Sequence, residues 1–129
     1  MNFILDASAL LAVMLNERGA EIVIPLLRRS TISTVNLSEV YTKLIANDIT
    51  INEAQSQINR FELDIRLFDH SHAVRAAELR PLTSHLGLSF GDRACLALAQ
   101  NDNIPVLTAD QDWAKLDLGI EIRLIRERS

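Results

Sequence analysis

Short apolar runs alternate with amphipathic stretches along the chain. Asn2–Asp6 (NFILD) is a brief apolar run closed by an acid, the pattern of a buried parallel strand. Ser8–Asn16 (SALLAVMLN) follows as a helix, with Ser8 as its expected N-cap. Ala20–Arg29 predicts a second helix that Pro25 kinks or shortens. Thr31–Val35 is β-branched and strand-like. Leu37–Ala46 places apolar residues at 37, 40, 41, 44 and 45, a helical period. Ile51–Phe61 is a more polar helix whose apolar face carries Ile51, Ala54, Ile58 and Phe61. Leu63–Phe68 alternates apolar and charged residues, as an edge strand does. Ser71–Leu86 reads as helix broken near Pro81, and Asp92–Asn101 as a helix with a buried stripe at Cys95, Leu96 and Ala99. Ile104–Thr108 is a strand, Asp110–Leu116 a short helix and Glu121–Ile125 a last strand.

Strands alternating with helices imply an α/β fold, a parallel sheet with helices on both faces. Ligands of such sheets bind outside the carboxyl ends of the strands. The residues that follow each strand are therefore the candidates for chemistry.

Composition narrows the class. The chain has 129 residues, 48% of them hydrophobic, with 4 Gly, 3 Pro and no linker-like tract. That is the size of one domain, spanning 1–129, with enough apolar surface to fold unaided. Lys and Arg number 13 against 17 Asp and Glu, a formal charge of −4, which excludes a whole-surface basic footprint. A single cysteine excludes a disulfide framework and a four-cysteine zinc site. Aromatic residues are only 5%, a weak basis for base-stacking platforms. An acid at position 6 and no Lys or Arg before Arg18 argue against a secretory signal, and no apolar window is long enough to span a membrane. The expectation is a cytoplasmic protein without a membrane partner.

Acids gather where the pattern puts strand ends. Asp6 closes the first strand, and Glu39 lies in the first turn of the helix after the second. Asp92 opens a helix after Leu88–Gly91, and Asp110 follows the strand ending at Thr108, with Asp112 two residues on. In a parallel sheet, Asp6, Glu39, Asp92 and Asp110 can converge on one edge. Taken singly, three of them have a plain role at helix termini: Asn36-x-x-Glu39 and Ser89-x-x-Asp92 fit capping-box spacing, and Asp110 fits an N-cap. Asp6 is the exception, set between Phe3-Ile4-Leu5 and Ala7-Ser8-Ala9. A buried carboxylate needs compensation, and a cation is the natural source. Several carboxylates in one pocket raise one another's pKa unless a metal fills it. All-oxygen ligands suit Mg2+ or Mn2+, the ions of phosphodiester hydrolysis.

Four segments carry a family resemblance: Ile4–Leu10 (ILDASAL), Asn36–Val40 (NLSEV), Leu88–Ala99 (LSFGDRACLALA) and Val106–Trp113 (VLTADQDW). In this order and register the chain resembles the PIN-domain ribonucleases, in particular the VapC-type toxins of bacterial toxin–antitoxin pairs. The resemblance implies a three-layer α/β/α sandwich around a central parallel sheet. It implies an Mg2+-dependent endoribonuclease that hydrolyses RNA with a metal-activated water. Its catalytic and metal-binding acids would be Asp6, Glu39, Asp92 and Asp110. Ser8 matches a hydroxyl position after the first acid, Thr108 a hydroxyl supporting the last acidic corner, and Asp112 an extra or substitute ligand. It also implies a homodimer and a cognate antitoxin. Asp6→Ala or Asp92→Ala is expected to abolish cleavage with the fold intact. Asn47–His85 carries no family motif.

The remaining polar residues have plainer readings. Arg93 is either a phosphate contact or, favoured, the partner of a surface acid. Arg28, Arg29, Arg75, Arg80, Lys115 and Arg123 are further phosphate-contact candidates. His70, His72 and His85 lack metal-ligand spacing, Cys95 reads as core, and Trp113 as the residue packing the last helix on the sheet. A haloacid-type phosphatase needs D-x-D where this chain has Asp6-Ala7-Ser8, and a receiver domain needs a Lys at a late strand end. The competing reading is a non-catalytic PIN-fold module that binds RNA or protein.

Overall fold

The computed structural model describes residues 2–127. Five strands form one parallel sheet: β1 (Phe3–Leu5), β2 (Ser30–Ser33), β3 (Asp64–Arg66), β4 (Val106–Thr108) and β5 (Ile122–Leu124), in the order β3-β2-β1-β4-β5. Ile4 pairs with Thr31 on one side and Val106 on the other. The chain builds outward from β1 through β2 to β3, then returns to build β4 and β5 on the opposite side. The gap between the carboxyl ends of β1 and β4 is thus the point where strand order reverses, where open parallel sheets form their binding crevice.

Six helices cover the sheet: α1 (Ala7–Met14), α2 (Ala20–Val23), α3 (Thr34–Ala46), α4 (Ile51–Phe61), α5 (His70–Thr83) and α6 (Phe90–Asp102). Alternation along β1 separates two cores. Phe3 and Leu5 face a cluster with Leu10, Val23, Leu44 and Ile58, which holds α1 to α4. Ile4 points the other way, into Ala76, Leu79, Leu96, Leu98 and Trp113, which holds α5 and α6. This is the three-layer α/β/α sandwich expected. No helix of the described residues is long and apolar enough to cross a membrane.

Several boundaries differ from the sequence pattern, each for a local reason. Ser8 does not cap α1; Asp6 does, its Oδ1 accepting from the Ala9 N–H at 2.9 Å. Pro25 leaves α2 only four residues long, and the chain continues as a 3-10 turn over Ile24–Arg29. Thr34 and Val35 belong to α3 rather than β2, because the Ser33 hydroxyl accepts from the Val35 N–H and starts the helix early. Glu39 consequently sits in the second turn of α3, and Asn36-x-x-Glu39 is not its capping box. Pro81 does not break α5, which runs on to Thr83, where the Thr83 hydroxyl donates to the Leu79 carbonyl at 2.9 Å. The edge position of β3, the bounds of α4 and the Ser89–Asp92 capping box follow the sequence reading.

Trp113 lies in a 3-10 turn over Gln111–Lys115 and is fully buried against the α6 side of the sheet. Its indole N–H finds no acceptor among the described residues. Trp113→Ala is expected to cost about 3–5 kcal/mol in urea unfolding, the usual penalty for emptying a large aromatic site. Trp113→Phe is expected to cost far less, since it also removes an unpaired buried donor.

Candidate functional site

The site grows from the end of β1. Asp6 is only 5% exposed, and three donors hold its carboxylate. Oδ1 accepts from the Ser8 hydroxyl at 2.7 Å and the Ala9 N–H at 2.9 Å, and Oδ2 from the Thr108 hydroxyl at 2.5 Å. Thr108 Oγ1 in turn accepts from the Asp110 N–H at 3.1 Å, and Ser8 Oγ from the Ala109 N–H at 2.9 Å. Thr108 therefore ties the first acid to the last acidic corner instead of serving that corner alone. Part of the compensation assigned to a cation is supplied by these donors. Burial still dominates, and pushes the Asp6 carboxyl up to about 6, with the hydrogen bonds from Thr108 and Ser8 acting against it and the charge of Asp92 adding to it. Asp6→Ala would leave these three donors without their acceptor and cost stability, so Asp92 is the cleaner target.

Asp6, Glu39, Asp92 and Asp110 line one cleft of about 310 Å³, together with Ala7, Ser8, Leu11 and Lys43. Asp92 arrives on the first turn of α6, fixed by the reciprocal capping box: its Oδ2 accepts from the Ser89 N–H at 2.9 Å. Burial raises its pKa, and the charge of Asp110 adds to the rise. Asp110 caps the 3-10 turn before Trp113, accepting from the Asp112 N–H at 3.0 Å. Glu39 is held by a bridge that the sequence does not announce. The buried Asn36 amide donates both to Glu39 Oε1 and to the Gly91 carbonyl, each at 2.9 Å. A Cβ on Gly91 would overlap the Glu39 carboxylate, so the glycine is what lets that carboxylate lie there. Cys95, fully buried one turn beyond Asp92, has its thiol pKa driven well up by burial and by the charges of Asp6, Asp92 and Glu39.

Other candidates lie elsewhere. Asp112 accepts from Lys115 at 3.2 Å and is not part of the cleft lining. Arg93 pairs with neither an acid nor the cleft; it donates to the Ala76 carbonyl at 2.8 Å, joining α6 to α5. Arg28, Arg75 and Arg123 pair with Glu62, Glu78 and Glu121. None of these bases, nor Arg29 or Arg80, lines the cleft. The base that does is Lys43, one helical turn after Glu39, and the i,i+4 spacing is a signal that could have flagged it. His72 is buried edge-on against Phe68, while His70 and His85 are exposed.

A family model, the PIN domain, matches residues 3–118. The chain belongs to the PIN-domain family. No curated protein matches it, but solved structures do. One is a chain of the toxin–antitoxin complex from Klebsiella pneumoniae, with a TM-score of 0.76 at 19% identity over 98% of this chain and 100% of that one. Another is DNA-bound VapBC from Salmonella typhimurium, with a TM-score of 0.74 at 18% identity over 98% of this chain and 99% of that one. A third is VapBC-5 from Mycobacterium tuberculosis, with a TM-score of 0.64 at 25% identity over 98% of each chain.

The PIN fold implies a divalent metal, and the donors fit one in kind. The cleft offers four carboxylates and the Ser8 hydroxyl, oxygen donors of the hard kind that suits Mg2+ or Mn2+. As the side chains stand, no three His, Cys, Asp or Glu among the described residues group closely enough to hold an ion. Burial raises the pKa of Asp6 and of Asp92, and the charges of Asp92 and Asp110 add to the two rises, so a cation in the cleft would favour the ionised form of both.

A pH dependence follows. The Asp6 carboxyl titrates at about 6 in the folded chain against 3.8 ordinarily, so the native state binds the extra proton between those values. Stability must then fall as pH rises through that window, by roughly 3 kcal/mol on the usual conversion. Urea unfolding in EDTA is expected to show the parent losing that much relative to Asp6→Asn between pH 3.5 and pH 7. A constant difference between the two proteins would contradict it.

Proposed function

We propose that this chain is a divalent-metal-dependent endoribonuclease, the toxin of a toxin–antitoxin pair. The observation that carries the reading is the single cleft lined by Asp6, Glu39, Asp92 and Asp110, four acids far apart in sequence, at the switch point of a parallel sheet. The similarity to chains of toxin–antitoxin complexes supports an antitoxin as its protein partner; a homodimer of this chain belongs to the same proposal. A cytoplasmic location accords with both.

Asp6, Asp92 and Asp110 would hold Mg2+ or Mn2+, with Glu39 as a further ligand or as the group orienting water. The ion supplies Lewis-acid activation of water and neutralises charge building on the phosphate. The chain's own residues do the rest. Ser8, Thr108 and the Ala9 N–H fix the Asp6 carboxylate in one orientation. The Ser89 N–H does the same for Asp92, and Asn36 pins Glu39 beside Gly91. Lys43 brings a positive charge to an otherwise acidic cleft, suited to a phosphate oxygen of the RNA backbone. Ser8, Thr108 and Asn36 thus act as positioning residues.

In Mg2+ or Mn2+ the purified chain is expected to cut RNA, and EDTA to stop it. Asp92→Ala should lower the rate at least ~100-fold, while unfolding shows only the ~1 kcal/mol loss of a cap. Equal rates for Asp92→Ala and the parent would refute the assignment. RNA binding without any cleavage would instead assign the non-catalytic module.

Gly91→Ala gives a second check. The clashing group is the mobile end of the Glu39 side chain, so stability should fall by less than ~1 kcal/mol while the carboxylate is displaced. Cleavage should drop to the level of Glu39→Ala, and the double variant should be no slower than either. Full activity in Gly91→Ala would remove Glu39's held position from the account.

A further inference from the structure

A second groove adjoins the carboxylate cleft and differs from it in chemistry. It measures about 610 Å³ and is lined by Thr34, Val35, Ser38, Ser89, Phe90 and Gly91, with Glu39 shared between the two. Apart from that shared acid it carries no charge. Its walls are the hydroxyl-bearing Thr34, Ser38 and Ser89, the apolar Val35, the Gly91 backbone and one ring, a lining for a flat heterocycle rather than for an anion.

The ring is Phe90, the one exposed aromatic side chain among the described residues, at 50% exposure. Aromatics are scarce in this chain, and Tyr41, Phe61 and Phe68 are only partly exposed. Phe90 is also supported from behind. Phe68 meets it edge-on at 5.5 Å with planes at 75°, and the Arg93 guanidinium lies 5.8 Å from its centroid. Arg93 is itself anchored on the Ala76 carbonyl. Leaving half of a phenyl ring in water is unfavourable, and fixing it there removes the freedom that would soften the penalty. A ring held so beside the carboxylate cleft offers a face on which a base can stack.

We infer that the Phe90 groove holds the base of the nucleotide adjoining the scissile phosphate, stacked on the Phe90 ring with the Ser38, Ser89 and Thr34 hydroxyls near its edge. This rests on the nuclease reading and gives it a substrate form: single-stranded RNA, whose unpaired bases can turn out to stack. Because every base has a π-face, stacking supplies affinity, and the hydroxyls supply whatever base preference exists.

The test uses the whole chain with Phe90→Ala and Phe90→Trp, on random-sequence single-stranded RNA and on one cleaved oligonucleotide carrying an abasic residue on either side of the cut. Phe90→Ala should raise KM on the order of 10-fold with kcat little changed, and Phe90→Trp should restore it. The abasic substrate should cost the parent a similar factor and cost Phe90→Ala almost nothing. Equal cleavage of abasic and intact RNA by the parent would overturn the inference while leaving the nuclease reading standing. Stacking is also read without cleavage, from quenching of 2-aminopurine in single-stranded RNA with Ca2+ in place of Mg2+. Quenching by the parent and not by Phe90→Ala would support the groove even if no RNA were cut, which would sink the nuclease reading alone. A change of oligomeric state in Phe90→Ala would place the ring in a subunit contact and overturn the proposal.

Discussion

A buried carboxylate at the end of the central strand sets the constraint on which this structure depends. Asp6 is where β1 stops, where α1 starts and where β4 is joined to both, through Thr108 on one oxygen and Ser8 with the Ala9 N–H on the other. Moving an ionised carboxylate away from water is costly unless donors surround it. The donors present reduce that cost without cancelling it, and the carboxyl remains at about 6. The same burial that holds the helix cap thus leaves a carboxylate whose charge its donors only partly compensate. Sheet topology then decides where the site opens, since the strand order reverses between β1 and β4.

Much of this was legible in the sequence. Short apolar or β-branched runs mark the strands, the first of them closed by an acid, and the four family segments mark the corners of the cleft. The acid at 6 stood out because its neighbours are Leu5 and Ala7. What was not legible came from contacts between distant segments. Nothing local says that Asn36 reaches the Gly91 carbonyl, or that Arg93 turns away to Ala76. The error over Ser8 has the same origin. A hydroxyl at the start of a helix is a good cap by propensity, but the residue before it already occupied the cap, and Ser8 was free to bridge Asp6 and Ala109. Pro81 misled because its position late in α5 allowed the helix to end at Thr83 rather than at the proline.

The charge of the chain takes on a different meaning once the cleft is known. Setting aside the four cleft acids leaves acids and bases equal in number. The net negative charge can therefore be located in one place, with Lys43 the only base among the described residues that lines it. A negative chain is not barred from RNA when bound cations neutralise the pocket. Low aromatic content is likewise no bar when the one exposed Phe, Tyr or Trp among the described residues stands beside the acids. Position outweighs abundance in both cases.

Direct titration with Mn2+, with free ion read by electron paramagnetic resonance, tests whether this cleft is a divalent cation site before any RNA is added. Saturable binding, displaced by Mg2+ and lost in Asp92→Ala, is expected. Absence of saturable binding, or binding undiminished in that variant, would contradict a cation site there.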